Sequence, residues 1–219
     1  KKYITFVDNQ IIPLDFLFKK VLDSIGVKIN NNDYKILLYN NINKVNFFKG
    51  KNITKKKYIL LHMDEKWFSD FYIKDFTNIS PTVEDFYLLI KKIIKIKKNN
   101  IAISTGNISL PFIEKLIRKY FKFNNKGYSL LKFGKYKVIL FSKLSIDNLE
   151  TITMNASNVI ACQGPLTQIS GAFNVSVIDI IEKKYKKWYF RHTSHIKKYN
   201  KLYREKFDKL AKKIIFKIK

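Results

Sequence analysis

The sequence has one cysteine, few acidic residues and no long uninterrupted apolar run. Cys162 alone cannot close an internal disulfide, and inside an apolar run it reads as a small core residue. A reducing, cytoplasmic setting is therefore expected. The 17 Asp and Glu residues are scattered, so the paired carboxylates of a glycosidase are not supported. No second His or Cys stands at ligand spacing from His62, and no metal motif is present, so no metal is expected. His192 and His195 have no carboxylate nearby in sequence to orient either ring. There is no Walker loop and no GxGxxG. No stretch reads as a signal peptide or could span a bilayer. The first residue is Lys1 rather than Met, and the expectation is a fragment of a longer protein.

What the chain does have is positive charge. Its 43 Lys and Arg residues give a formal net charge of +26. Lys, Asn and Ile dominate together, and AT-rich codons account for part of that. The remaining field favours anionic partners: nucleotide diphosphates, phosphorylated glycans, lipid headgroups or nucleic acid. With 46% hydrophobic and 15% aromatic residues, the 219-residue chain can build a sizeable core.

Apolar runs and helical stripes alternate through the middle of the chain. Tyr58–His62, Asn100–Ser104, Lys137–Phe141, Val159–Cys162 and Val175–Ile181 read as strands. Helices are expected over Val83–Ile96, Leu110–Phe121, Ile146–Met154 and about Thr167–Phe173. Phe71–Ser80 and Asn124–Tyr136 read as loops. The order βαβαβαβαβ predicts an α/β fold with a doubly wound parallel sheet and right-handed crossovers. Upstream, Lys2–Val7 suggests a short strand or the end of an interdomain segment, and Leu14–Ile25 a helix ended by Gly26. Asn30–Lys57 suggests a polar connector interrupted by Tyr34–Tyr39. Three parts follow: 1–57 as linker and connector, 58–181 as the sheet domain, and 182–219 as a basic aromatic segment with a helix from about Ser194 to Ile218.

The stretch from Asn158 to Ile181 is the centre of the reading. Strand, Gly164-Pro165 turn, short helix and strand would put a ligand loop at the carboxyl end of a strand. Gly164 would let backbone approach a ligand, and the next helix would aim N–H groups at an anion. A plain turn between two core strands accounts for the same residues. Lys66, after the strand Tyr58–His62, is a point charge suited to a diphosphate. In so basic a chain it could equally be one more surface lysine. Ser104-Thr105-Gly106-Asn107 forms a second glycine turn on the same expected edge.

These residues resemble the late segment of heptosyltransferase-type enzymes, glycosyltransferase family nine, over roughly Leu14–Ile181. The strand Val159–Cys162, the loop Gln163-Gly164-Pro165-Leu166 and the helix start Thr167-Gln168-Ile169 carry the likeness, with Lys66-Trp67 after the first strand. Cys162-Gln163 stands where that family often has Asp-Thr, and Gln168 stands near its usual His. The resemblance implies a Rossmann-like GT-B C-terminal domain with a basic C-terminal helix. It also implies a site at Asp64, Lys66, Thr105, Gly106, Gln163, Gly164, Pro165, Leu166, Thr167 and Gln168. The expected donor is a nucleotide-diphosphate sugar, ADP-heptose-like. The acceptor would be a cell-surface or lipid-linked glycan such as lipopolysaccharide core. No cofactor is implied, and the general base would come from a facing first domain. A basic nucleic-acid-binding module and a non-catalytic relative are the alternatives, although no nucleic-acid motif is recognisable. Three readings stay open for the tail: a core-docking helix, a helix on an anionic membrane surface, or a nucleic-acid contact.

Overall fold

The computed structural model describes residues 22–28, 58–124 and 127–219. In the first of these, a helix over 22–24 ends at Gly26, whose φ of 81° is the left-handed conformation that glycine adopts freely. The Val27 N–H closes the end on Leu22 O at 2.9 Å. The expected strand Lys2–Val7, the start of the helix and the whole connector Asn30–Lys57 lie outside the described residues.

Among the described residues one eight-stranded sheet organises the rest. Its strands are β1 (Tyr58–Met63), β2 (Asn100–Thr105), β3 (Lys122–Asn124), β4 (Tyr128–Phe133), β5 (Tyr136–Phe141), β6 (Asn158–Cys162), β7 (Ser176–Ile181) and β8 (Tyr199–Tyr203). They lie in the order β3-β4-β5-β2-β1-β6-β7-β8. From β5 to β8 every pairing is parallel, while β3, β4 and β5 pair antiparallel. Taken alone, the six parallel strands follow the Rossmann order 3-2-1-4-5-6. The winding reverses between β1 and β6, and the carboxyl ends of those two strands open a crevice there.

Burial on both faces explains the composition of the strands. β1 is buried along its whole length, as expected of a central parallel strand. Ile59, Leu61 and Met63 join one core and Tyr58 and Leu60 the other. The first core takes its helical side from α1 (Val83–Lys97), α2 (Pro111–Tyr120) and α6 (Phe207–Ile218). The second takes it from α3 (Ile146–Met154) and α4 (Pro165–Ala172). A further helix, α5 (Lys186–Thr193), packs beside α4. Helix α1 starts where Thr82 Oγ1 accepts the Asp85 N–H at 3.1 Å, with Glu84 and Asp85 in its first turn. It buries Phe86, Leu89, Ile90, Ile93 and Ile94, the stripe that its sequence period predicts. At about 2 kcal/mol per buried side chain, that face contributes on the order of 10 kcal/mol of gross burial.

Two expectations are corrected. The stretch Asn124–Tyr136 is not a loop, because it holds β4 and the hairpin into β5. Phe133 pairs with Tyr136 across a two-residue turn in which Gly134 has φ 56°. The segment Ser194–Ile218 is not one helix. Tyr199–Tyr203 pairs with β7 as the sixth parallel strand, and the helix begins only at Phe207. Ile196, Tyr199, Leu202 and Tyr203 fit a helical stripe by spacing, but the open edge of β7 supplies hydrogen bonds that an extended segment can take. Of the three readings of the tail, α6 follows the core-docking one: Phe207, Leu210, Ile214 and Ile218 are buried against α1.

Candidate functional site at the switch point

The site grows from the end of β1. Asp64 caps a 3-10 turn, Glu65–Trp67, its Oδ1 accepting the Lys66 N–H at 3.1 Å. Trp67 is fully buried against Phe86 and donates Nε1–H to His62 O at 2.8 Å. With Trp67 anchored in the core, Lys66 beside it reaches the rim. Its Nζ donates to Asp64 Oδ2 at 2.6 Å and lies 3.9 Å from Glu65 Oε1. Asp64 Oδ2 also lies 3.3 Å from His62 Nε2, and His62 Nδ1 lies 2.9 Å from Ser104 Oγ. A buried chain Ser104–His62–Asp64 therefore ends on the Lys66 ammonium.

The end of β6 meets it. Gly164 has φ 146° and ψ −159°, a conformation that side chains rarely adopt, and Pro165 opens α4 directly after it. A Cβ on Gly164 would stand 3.4 Å from Lys66 Nζ. The glycine turn and the ammonium thus share one rim, between parallel neighbours. Gly106, after β2, brings the third edge in: a Cβ there would stand 3.1 Å from both Asp64 Cβ and Glu65 Oε2.

Charge and burial fix the state of the cluster. Burial pushes the Asp64 carboxyl up, but the hydrogen bond and charge of His62 and then those of Lys66 outweigh it, and it sits below the usual carboxylate range. Burial likewise pulls Lys66 down, and the charges of Asp64 and Glu65 more than restore it. The pair stays ionised through the neutral range.

The other expected site residues divide. Asp64, Lys66, Gly106 and Gly164 come together, with exposed Pro165 on the rim. Thr105 braces a loop, its Oγ1 accepting the Lys143 N–H at 3.0 Å. Gln163 is 6% exposed, and neither terminal amide atom has a partner among the described residues. Leu166 packs in the second core, and Thr167 is buried. Gln168 is exposed and donates to His192 O at 2.8 Å, tying α4 to α5.

The sequence reading missed Arg204, just past β8. Its Nε donates to Thr77 O at 2.9 Å and its Nη1 to Lys66 O. Its side chain is fully buried, 4.0 Å from Glu182 and over the Phe76 ring. It locks the Lys66 turn to the far end of the sheet. One signal was available: in a chain that uses Lys almost everywhere, Arg204 is one of three arginines. Beside the crevice, a groove of about 790 Å³ runs between the amino ends of α1 and α2, floored by Phe68 and Phe112. Among the described residues no group of three or more His, Cys, Asp or Glu is placed to hold a metal. No helix among them is long and apolar enough to cross a membrane.

Fold and site together define a doubly wound α/β domain with a glycine-lined crevice at its switch point, where Lys66 is held by acidic neighbours. No protein-family model matches the sequence, and no curated protein matches it significantly. Solved structures do match the fold. A glycosyl transferase family 9 protein from Veillonella parvula DSM 2008 superposes with a TM-score of 0.56 at 11% identity, over 97% of this chain and 56% of that one. Escherichia coli heptosyltransferase WaaC with ADP gives 0.49 at 12% identity, over 77% and 46%. Methanocaldococcus jannaschii UDP-GlcNAc 2-epimerase with UDP-GlcNAc and UDP gives 0.49 at 12%, over 94% and 51%. The chain spans about half the length of these proteins. The resemblance read from the sequence is met at the level of fold.

Proposed function

We propose that this is the donor-binding half of a nucleotide-sugar-dependent glycosyltransferase. The observation that carries the reading is the meeting of Lys66 and Gly164 at the switch point, at the amino end of α4. Transfer of a sugar breaks the bond between its anomeric carbon and a nucleoside diphosphate, and negative charge grows on the leaving group. A fixed ammonium and a helix amino terminus offset such charge by electrostatic stabilisation, so the proposal invokes no metal. Asp64 holds the ammonium before the ligand arrives. Thr105 and Gly106 would border the nucleotide, and an ADP-heptose-like donor is the first candidate. Residues 1–57 would lead to a facing half that supplies the general base and the acceptor site. A cell-surface glycan would be that acceptor, reached from the cytoplasmic side.

Calorimetry with ADP-sugars and UDP-sugars tests the reading. Lys66→Ala should weaken binding by about ten- to a hundredfold, the range of one charge-assisted contact. Unchanged affinity would remove Lys66 from the site. No binding by the native chain would remove the reading itself.

One observation favours a second reading, a relative that binds donor without turning it over. Gln163 and Gln168 both stand at or near positions where the resembled family has other residues, and the Gln168 amide is committed to the His192 carbonyl. Donor binding without turnover by the full-length protein would select it.

A further inference from the structure

Two segments at the carboxyl edge of the sheet leave large apolar side chains in solvent. In the insert after β1, Phe71, Tyr72 and Ile73 are 49%, 39% and 39% exposed. Across from them, Tyr185 and Trp188 of the 183–190 segment are 41% and 53% exposed. The segments are clasped together. Tyr72 and Tyr185 both pack on the buried Phe76, at 5.6 and 5.5 Å between ring centres. Lys184 Nζ donates to Asp75 O at 2.9 Å, and Thr77 N–H to Glu182 Oε2 at 2.7 Å. Singly exposed apolar residues are ordinary, but five on two joined segments form a patch that marks an interaction surface.

Its rim is cationic. Lys74, Lys183, Lys184, Lys186 and Lys187 are all exposed, against Asp70 and Asp75. Three of the exposed side chains, Tyr72, Tyr185 and Trp188, join an apolar ring to a polar N–H or O–H. Trp188 lies 4.0 Å from His192 between ring centres, tilted at 36°, and stands edge-on to Tyr189, while Tyr72 meets Phe76 at 79°. Exposed Ile73 adds an aliphatic side chain to the same ledge. Amphipathic Trp and Tyr with apolar neighbours inside a lysine rim suit the headgroup zone of a bilayer.

We propose that this aromatic and lysine-rimmed ledge docks the domain on an anionic membrane surface. The sequence had offered the tail helix for that role, but α6 spends its apolar face on the core. The ledge lies next to the crevice, with the Tyr72 ring 5.9 Å from Lys66 Nζ. Docking would hold the crevice mouth at the headgroup level. The inference does not depend on what the crevice binds.

The two tryptophans make the test direct, since Trp67 is fully buried and Trp188 is exposed. The full chain is mixed with vesicles of phosphatidylcholine and phosphatidylglycerol, with and without brominated acyl chains, and with phosphatidylcholine alone. The expected result is binding to the anionic vesicles with bromine quenching of Trp188, and no quenching in Trp188→Leu. Changing Lys183, Lys186 and Lys187 to Gln should cost about a hundredfold in partitioning, at roughly fivefold per lysine. The same change at Lys92, Lys95 and Lys98, at the carboxyl end of α1 and its cap, should cost far less. Vesicle binding without quenching, or equal losses in both triple variants, would mean diffuse attraction to a basic protein and overturn the ledge. A sedimenting dimer that Trp188→Leu dissociates, or a single-stranded oligonucleotide that quenches Trp188 and displaces the vesicles, would overturn it in favour of another occupant.

Discussion

Lys66 owes its place to three neighbours that do different jobs. Trp67 anchors the turn, Asp64 fixes the ammonium, and Arg204 holds the Lys66 carbonyl from beneath. Removing Arg204 leaves the Lys66 and Thr77 carbonyls and the Glu182 carboxylate without their buried cation. Arg204→Met should therefore destabilise the fold by about 3–5 kcal/mol in urea titrations. Asp179 behaves in the opposite sense. It is 1% exposed in β7, and burial pushes its carboxyl up to about 6, against the downward pull of the Tyr199 and Thr167 hydroxyls. Its folded form holds a proton that the unfolded chain releases near its ordinary value. Stability should thus fall as pH rises from about 4 to 6 and stay low above, by about 3 kcal/mol in all. Asp179→Asn keeps an acceptor for the Tyr199 hydroxyl and removes the charge. It should flatten that slope and raise stability at pH 7, readable from denaturation at several pH values.

At the scale of elements, α4 shows how packing reverses a propensity. Gly171 lies inside this helix, where Ala would ordinarily be better by up to about 1 kcal/mol. Yet a Cβ at Gly171 would stand 2.7 Å from Ile196 Cγ1, in the segment leading to β8. Gly171→Ala should therefore destabilise by about 1–3 kcal/mol, and a second change, Ile196→Ala, should remove most of that penalty. Thermal melts of the two single variants and the double variant give the coupling. If Gly171→Ala alone stabilises, α4 does not sit against that segment as described. The same contact sets the site, since α4 carries Gly164 and Pro165 at its amino end.

Across the whole molecule, a formal charge of +26 repels itself and attracts any polyanion. Added salt should raise the melting temperature by screening that repulsion. Binding of single-stranded RNA or heparin, if present, should fall steeply with salt, in proportion to the number of phosphates or sulfates neutralised. Nucleotide-sugar binding as proposed would rest on one ammonium and a helix end, so its salt slope should be several times shallower. Two titration series, one with polyanion and one with donor, separate a charged surface from a built site. Equal slopes would mean that donor binding is the same diffuse attraction.

Residue order alone determined that strands and helices alternate, because a buried parallel strand needs an unbroken apolar run and a covering helix needs a 3.6-residue stripe. Tyr58–Met63 and Val83–Lys97 are legible for that reason. Gly164 and Lys66 were legible too, as types of residue at strand ends. What sequence could not give was sheet order, and order is what placed those two strand ends side by side. Tertiary structure also decided Tyr199–Tyr203, whose spacing suits a helix until the free edge of β7 offers it hydrogen bonds. It tied Gln168 to the His192 carbonyl and brought Arg204 beneath Lys66. Local pattern reports which face of an element is apolar. Only the assembled sheet reports which distant side chains that burial brings together.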